Sequence, residues 1–140
     1  MNEEDASTLK RWGFVPLRMV VGVVFLMHGV QKVFDFGLHG TTDLLDKLGI
    51  PLPAFFAVVI IVVELLGGMA IVLGLFARWA AALLAIEMTV AILVARLGGG
   101  FFTPYGYEFE LTLWGACLTI AALGTGGISL GTRMRRREQT

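Results

Sequence analysis

The sequence has 140 residues, of which 56% are hydrophobic and 16% charged, with a formal net charge of zero. Soluble domains carry about 25% charged residues, and a soluble domain this small has too little interior to bury so many apolar side chains. The composition therefore excludes an ordinary soluble domain and predicts a single-domain integral membrane protein. Because the net charge is zero, it gives no support for a nucleic-acid partner.

The N-terminus and the cysteine content limit processing and redox chemistry. The stretch "MNEEDASTLKRW" begins with acidic residues and lacks the short apolar core and cleavage site of a signal peptide. We therefore expect the first apolar segment to stay in the mature protein. Cys117 is the only cysteine, which excludes an intramolecular disulfide, a CxxC redox pair and a cysteine-rich metal site.

Four apolar segments have the length of about 20 residues that a membrane-spanning helix needs. They cover residues 14–34, 53–75, 77–97 and 108–127. The second and third segments are separated by a very short turn around "LFAR", which predicts an antiparallel hairpin. The predicted fold class is all-α, an integral membrane four-helix bundle.

Two connections between these segments have a distinctive composition. Within residues 35–52, "TTDLLDKLG" predicts a short amphipathic helix in the membrane interface. Thr41 or Thr42 would cap this helix, and Gly49 and Pro51 would end it. The later connection "LGGGFFTPYGYE" holds four aromatic residues and favours an aromatic belt at the lipid headgroups. A lid over the mouth of the bundle is the alternative interpretation.

Lysine and arginine are distributed unevenly between the connections, which predicts the orientation in the membrane. One side holds Lys10, Arg11, Arg78, Arg133, Arg135, Arg136 and Arg137, whereas the other holds Lys47 and Arg96, with Lys32 at a helix end. Both termini are therefore expected in the cytoplasm. The predicted segments are a cytoplasmic N-terminal segment (1–13), a four-span membrane domain (14–131) and a basic cytoplasmic tail (132–140). We interpret the tail as a topological anchor, with a lipid-headgroup patch as the alternative.

Seven ionisable side chains fall within or at the ends of the predicted spans, where charges are costly and normally face the bundle interior. They are Arg18, His28, Lys32, Glu64, Glu87, Glu108 and Glu110. On the first span, Arg18, Gly22, Phe25, Gly29 and Lys32 follow the spacing of one helix face, and the two glycines would admit a neighbouring helix closely.

Depth along the predicted helices brings part of this set together. A rise of about 1.5 Å per residue places Glu64 and Glu87 near mid-membrane, with His28 and Lys32 toward the outer leaflet and Glu110 at the outer mouth. We therefore predict an interior cluster of these side chains. Two interpretations stay open: ion pairs that only fix helix register, and a functional polar pocket. Arg18 lies shallow enough for its side chain to snorkel to the interface.

A metal centre is not predicted. The only other histidine is His39, in the first connection, so we interpret His28 as a hydrogen-bonded histidine. Nothing in the spacing singles out an axial haem ligand to accompany His28, whether Met88 or Cys117.

Several stretches carry a family resemblance. An arginine early in the first span is followed by "HGVQKVF", "LGIPLP" and "VVELLGGMAIVLGLFARWAA"; the fourth span begins "GYEFELTLWGA" and ends "GTGGISLG". In this order the motifs resemble the DoxX family of small four-helix membrane proteins, over about residues 14–131.

The resemblance implies a four-helix bundle in the cytoplasmic (inner) membrane of a prokaryote. Family members resemble accessory subunits of redox systems, including a thiosulfate–quinone oxidoreductase, a terminal quinol oxidase complex and a membrane oxidoreductase complex with superoxide dismutase. The positions that carry over by motif are Arg18, Lys32, Glu64, Glu87 and Glu110. The family offers no catalytic signature to transfer, so whether the chain is itself an enzyme stays open.

Two functional hypotheses follow. In the first, a quinone occupies an apolar slot lined by Phe25, Phe34 and Trp114, with hydrogen-bond donors from His28, Gln31 and Lys32 and with Glu87 or Glu110 accepting protons. In the second, the chain is a non-catalytic membrane anchor or assembly subunit for a soluble oxidoreductase, and its glycine faces pack helices or form a homodimer. A transporter is a weaker third hypothesis, since no broken-helix pair or inverted repeat is evident.

Overall fold

The computed structural model describes the backbone of residues 3–124 and the side chains from Trp12 onward. Within this range the chain is all-α and contains no strand. The α-helices are α1 (Glu3–Gln31), α2 (Gly37–Lys47), α3 (Pro53–Leu73), α4 (Ala77–Val90) and α5 (Glu108–Leu123). A π-helical turn, Lys32–Phe36, links α1 to α2. A second π-helical turn, Ala91–Arg96, and a 3-10 turn, Leu97–Gly99, extend α4.

Three helical stretches in the described residues are long and apolar enough to cross a membrane. They are Trp12–Lys47, Pro53–Leu73 and Ala77–Gly99. These stretches confirm an all-α protein with membrane-capable helices. They contain the first and third predicted spans, and the second predicted span, 53–75, extends two residues beyond Leu73. The fourth predicted span, 108–127, extends past the described residues, and its described part is the 16-residue α5. The basic tail and the "GTGGISLG" motif also lie outside the described residues.

The junction between α1 and α2 differs from the prediction. The chain stays helical through the π-helical turn, and α2 begins at Gly37, where φ is +66°. Thr41 and Thr42 therefore lie inside α2 and donate their hydroxyl protons to the carbonyl oxygens of Gly37 and Leu38, at 3.0 and 2.8 Å. The predicted N-cap role for these threonines is wrong because the helix has begun four residues earlier. The predicted end is confirmed, since α2 stops at Lys47 just before Gly49.

Close backbone contact fixes α1 against α3. A Cβ atom added to Gly68 would lie 2.6 Å from the backbone nitrogen of Leu26 and 2.7 Å from the carbonyl oxygen of Gly22. One added to Gly29 would lie 2.9 Å from the backbone nitrogen of Leu65. No side chain larger than hydrogen fits at these positions, so the glycines set the distance between the two helices.

The helices α3 and α4 form the predicted hairpin. Gly74 and Phe76 turn the chain with positive φ angles of 71° and 50°. The two helices meet where Gly67 faces Leu84, since a Cβ at Gly67 would lie 3.2 Å from Leu84 Cδ1. At the turn end, Arg78 Nε donates to the carbonyl oxygen of Ala121 at 2.9 Å and ties α4 to α5. Beyond the Gly67–Leu84 contact, away from the turn, side chains of both helices line a cavity.

Candidate functional site

The candidate site is a cavity of about 690 Å³ bounded by all five helices. Most of its wall is apolar, with Leu44 and Leu45 from α2, Val59 from α3 and Ile86 from α4 among the contributors. Its ionisable lining residues are His28, Lys32, Glu64, Glu87, Arg96 and Glu110. The volume lies within the range of about 300–1,000 Å³ that is typical of small-molecule sites.

An ion pair between Lys32 and Glu64 links the end of α1 to the middle of α3. Lys32 Nζ lies 2.8 Å from Glu64 Oε1 and 2.7 Å from Glu64 Oε2. The Glu64 side chain is only 2% exposed, whereas the Lys32 side chain is 20% exposed. Because a buried carboxylate without a partner is very costly, Lys32 provides the charge that allows Glu64 to be buried here.

Glu87 contacts this pair from α4. A side-chain hydrogen bond joins Glu87 to Glu64, and such a bond between two carboxyl groups requires a shared proton. The other oxygen, Glu87 Oε2, is buried and has no hydrogen-bond partner among the described residues. Glu64 and Glu87 each lie three residues, about one helical turn, from the Gly67–Leu84 contact, so they line the cavity near the point where α3 and α4 meet.

A second ion pair is formed by Arg96, the last residue of the π-helical turn that follows α4. Arg96 Nε donates to Glu110 Oε1 at 2.9 Å, and Arg96 Nη1 donates to the carbonyl oxygen of Pro104 at 3.2 Å. Glu110 is 9% exposed, and its Oε2 atom is buried without a hydrogen-bond partner in the described part of the chain. The sequence analysis treated Arg96 only as a topological charge. The short connection between two antiparallel helices was the available signal that Arg96 and Glu110 meet.

His28 forms part of the wall through its ring. It stacks on Phe109 with a centroid separation of 5.7 Å and an interplanar angle of 23°, which joins α1 to α5. Phe109 also lines the cavity and was not identified from the sequence. Among the described residues no group of three His, Cys, Asp or Glu side chains is arranged to hold a metal ion.

Several predicted site residues lie elsewhere. Arg18 is 5% exposed and buried in the bundle, but it does not line the cavity. Gln31 is exposed, because consecutive residues of a helix point about 100° apart and Lys32 is the one that faces Glu64. Phe34 is 80% exposed. Trp114 lies outside the lining and donates its indole N–H to Thr89 Oγ1 at 3.0 Å. Of the three aromatic residues expected to form a slot, only Phe25 lines the cavity.

The aromatic connection before α5 is held by its own contacts. Glu108 accepts hydrogen bonds from the Thr103 hydroxyl at 2.6 Å and from the Thr103 backbone N–H at 2.8 Å. These two bonds tie the connection to the first turn of α5. The rings of Phe101 and Tyr107 pack edge to face. None of the four aromatic residues of this connection lines the cavity, which disfavours the lid interpretation.

Comparison with known proteins places the chain in a family. The DoxX family model matches residues 13–97. The chain is 34% identical over 101 residues to "Putative oxidoreductase CatD" of Bacillus subtilis (strain 168), which covers 72% of each chain. It is 33% identical over 132 residues to "Uncharacterized membrane protein Rv3486" of Mycobacterium tuberculosis, covering 86% of this chain and 80% of that one.

A third relative is "Inner membrane protein YphA" of Escherichia coli (strain K12), with 30% identity over 122 residues, 83% of this chain and 86% of that one. No solved structure matches the chain. The family match covers more than half of the sequence, and these relatives are covered over most of their length. The protein therefore belongs to the DoxX family of membrane proteins.

Proposed function

We propose that this protein is the membrane subunit of a redox system and that its cavity binds a quinone. The observation that carries the proposal is the cavity of about 690 Å³, with apolar walls and six ionisable lining side chains. A quinone combines a flat polar head with an apolar body, so it needs both kinds of surface. The relative named "Putative oxidoreductase CatD" supports a redox context.

The residues present fit a quinone head group. Glu87 Oε2 and Glu110 Oε2 are buried oxygens with unused hydrogen-bonding capacity among the described residues, and both side chains line the cavity. Lys32 and Arg96 also line the cavity and have N–H groups beyond those bonded to Glu64, Glu110 and Pro104, which could donate to the carbonyl oxygens of a quinone.

The chain's residues would bind the ligand and handle protons. A bound quinone supplies two-electron, two-proton redox chemistry. Glu87, which is hydrogen-bonded to Glu64 and lines the cavity, is positioned to hold or release a proton there. Lys32 keeps the buried Glu64 charge balanced while this happens. Phe25 and Phe109 line the cavity with apolar surface and exclude water.

The proposal is tested by filling the cavity. Val59 lines it, whereas its neighbour Val58 is 46% exposed and lies outside the lining. Wild-type protein purified from native membranes in mild detergent should carry extractable quinone, which mass spectrometry would identify. Val59→Trp should lose the quinone because the indole occupies its space, and the matched control Val58→Trp should retain it. Wild-type protein without any quinone would overturn the proposal.

A non-catalytic anchor or assembly subunit is the second candidate function. The Lys32–Glu64 pair crosses from α1 to α3, where the glycine contacts hold the same two helices together, so the pair has a structural use that needs no ligand. Under this candidate, Val59→Trp leaves the partner oxidoreductase fully active in native membranes. Loss of quinone-linked activity in Val59→Trp at normal abundance would reject it.

We also propose an arrangement of the helices in the membrane, based on their packing and composition. α5 is largely apolar and packs against α4, so we infer that it contributes to a fourth span. α2 packs on α3 and contributes exposed Leu44 and buried Leu45, as expected for a helix at the interface. The homodimer is part of the second candidate function, the membrane anchor, and stays a prediction.

A further inference from the structure

The exposed part of the cavity lining differs in character from the rest. The six ionisable lining side chains are all buried or half-buried. In the described part of the chain, every lining residue that is exposed is apolar. The cavity is therefore polar in its interior and apolar where its wall reaches the surface of the bundle.

On α4 and its π-helical extension, four of the exposed lining residues form a stripe. They are spaced three, four and four residues apart, so they share one side of the helix over a length of about 16 Å. The stripe consists of Leu83, Ile86, Val90 and Val94. On α3, Phe56 is also exposed and lines the cavity. We call the part of the cavity bordered by this stripe and Phe56 the lateral opening.

The lateral opening lies at the depth of the hydrocarbon core. Phe56 belongs to the membrane-capable stretch Pro53–Leu73, and the stripe belongs to Ala77–Gly99. An opening to water would let ionisable lining residues reach solvent without the cost of burial, yet all six of them lie away from the exposed wall. The opening is therefore suited to contact with acyl chains.

We infer that the ligand is a quinone with a long apolar chain, which enters from the bilayer through the lateral opening and leaves its chain there. This inference rests on the proposed function and deepens it, because it names the class of quinone and its route. Ile86 and Glu87 are consecutive and point about 100° apart, so a chain that passes Ile86 continues from a head group beside Glu87. Lipid is as apolar as the stripe, so the chain gains or loses little by lying there.

Photolabelling tests the position of the chain. Full-length protein in lipid nanodiscs is irradiated with a quinone that carries a diazirine at the far end of its chain, and labelled residues are mapped by mass spectrometry. The matched control is Leu93, which is 61% exposed and outside the lining, whereas Ile86 is 62% exposed and lines the cavity. Excess unlabelled quinone should lower the labelling of Ile86 to the level of Leu93 and leave Leu93 unchanged.

The other results of this experiment contradict the inference in distinct ways. Equal labelling of Ile86 and Leu93 that excess quinone does not reduce would mean that both residues meet only bulk lipid. Competable labelling of residues 97–107 instead would mean that the chain leaves through the connection before α5. An unlabelled stripe would mean that a second copy of the chain covers it. Each result overturns the inference.

A second probe, with the diazirine on the quinone ring, separates this inference from the proposed function. Competable labelling of Phe25 or Leu113, which line the cavity and are buried, supports the proposed function whatever the chain probe shows. Absence of competable labelling by both probes overturns the proposed function itself.

A matched pair of variants tests the route independently. Ile86→Trp places a bulky side chain at the lateral opening, and Leu93→Trp places the same side chain on the same helix outside the lining. Ile86→Trp should weaken binding of the long-chain quinone by about 10-fold and leave binding of a quinone without a chain nearly unchanged. Leu93→Trp should bind both quinones like the wild type. If Ile86→Trp weakens binding of both quinones equally, or of neither, the inference is overturned.

Discussion

At the scale of single residues, the burial of Glu64 makes the protein sensitive to the loss of its partner, Lys32. Lys32→Met leaves a carboxylate that is 2% exposed without its cation, and breaking such a pair costs about 3–5 kcal/mol. We expect a large fall in the unfolding midpoint of the purified protein. Lys32→Met/Glu64→Leu removes both charges and should recover much of the loss. A single variant as stable as the wild type would contradict this account.

Another residue-scale prediction concerns Glu108 and Thr103, outside the cavity. Glu108 accepts two hydrogen bonds from Thr103, and these bonds hold the connection before α5 against the first turn of that helix. We expect amides in residues 97–107 to be protected from hydrogen exchange in the folded protein.

The matched variants at Thr103 separate the hydroxyl from the backbone contribution. Thr103→Ser keeps the hydroxyl and should behave like the wild type. Thr103→Val removes the 2.6 Å bond and should lower the protection of these amides. Identical protection in Thr103→Val and the wild type would show that the hydroxyl contributes nothing.

The sequence predicted much of the residue content of the site. His28 and Lys32 lie one turn apart on a helix, and Glu64 and Glu87 lie in apolar spans. Because exposing a charged side chain to lipid costs free energy, the sequence predicts that these four side chains turn toward one another inside the bundle. Arg96 and Phe109 were missed because their roles depend on how the connection before α5 folds. Gln31, Phe34 and Trp114 were assigned to the site because of their residue types. Whether their side chains face the cavity depends on the exact helical register, which the sequence did not give. Ligand identity stays a prediction.

At the scale of helices, the glycines between α1 and α3 carry the sharpest prediction. Gly68→Ala would place a methyl group 2.6 Å from a backbone nitrogen of α1, and neither backbone can yield without moving a helix. Overpacking of this kind costs about 1–3 kcal/mol or more. Gly115→Ala is the control, because nothing lies within 4 Å of its added Cβ and alanine favours helix.

Thermal unfolding in detergent measures both glycine variants. Gly68→Ala should unfold well below the wild type, and Gly115→Ala should unfold at or slightly above it. Equal midpoints for the two variants would show that α1 and α3 are not held by backbone contact.

The sequence predicted which segments form helices, but it did not predict that the chain stays helical between α1 and α2. Apolar length identified α1, α3 and α4, and the glycine after α2 identified its end. The threonine cap was wrong because the chain stays helical through residues 32–36, and no local residue pattern announces a π-helical turn.

At the scale of the whole molecule, the orientation in the membrane is the main prediction. The excess of lysine and arginine near the termini and at Arg78 predicts cytoplasmic termini. A reporter that fluoresces only in the cytoplasm should be active when fused after Thr140. A cysteine at exposed Asp46 should react with a membrane-impermeant thiol reagent in intact cells, whereas wild-type protein, with only buried Cys117, should not. The reverse pattern would invert the orientation.

The cavity itself was beyond sequence reasoning, because its volume depends on how far α3 and α4 separate after meeting at Gly67 and Leu84. Only the polar contents, and not the space around them, follow from composition and periodicity.

The two π-helical turns have a consequence for how this architecture tolerates length changes. Each widened turn flanks the cavity and carries one of its cations, Lys32 or Arg96. A π-helical turn contains one more residue than an α-helical turn, so removing a single residue from it would let ordinary α-helical bonding resume with little rotation of the residues downstream. Deleting Val33 should therefore leave the leucines of α2 against α3, whereas the same deletion in a regular α-helix would rotate all later residues by about 100°.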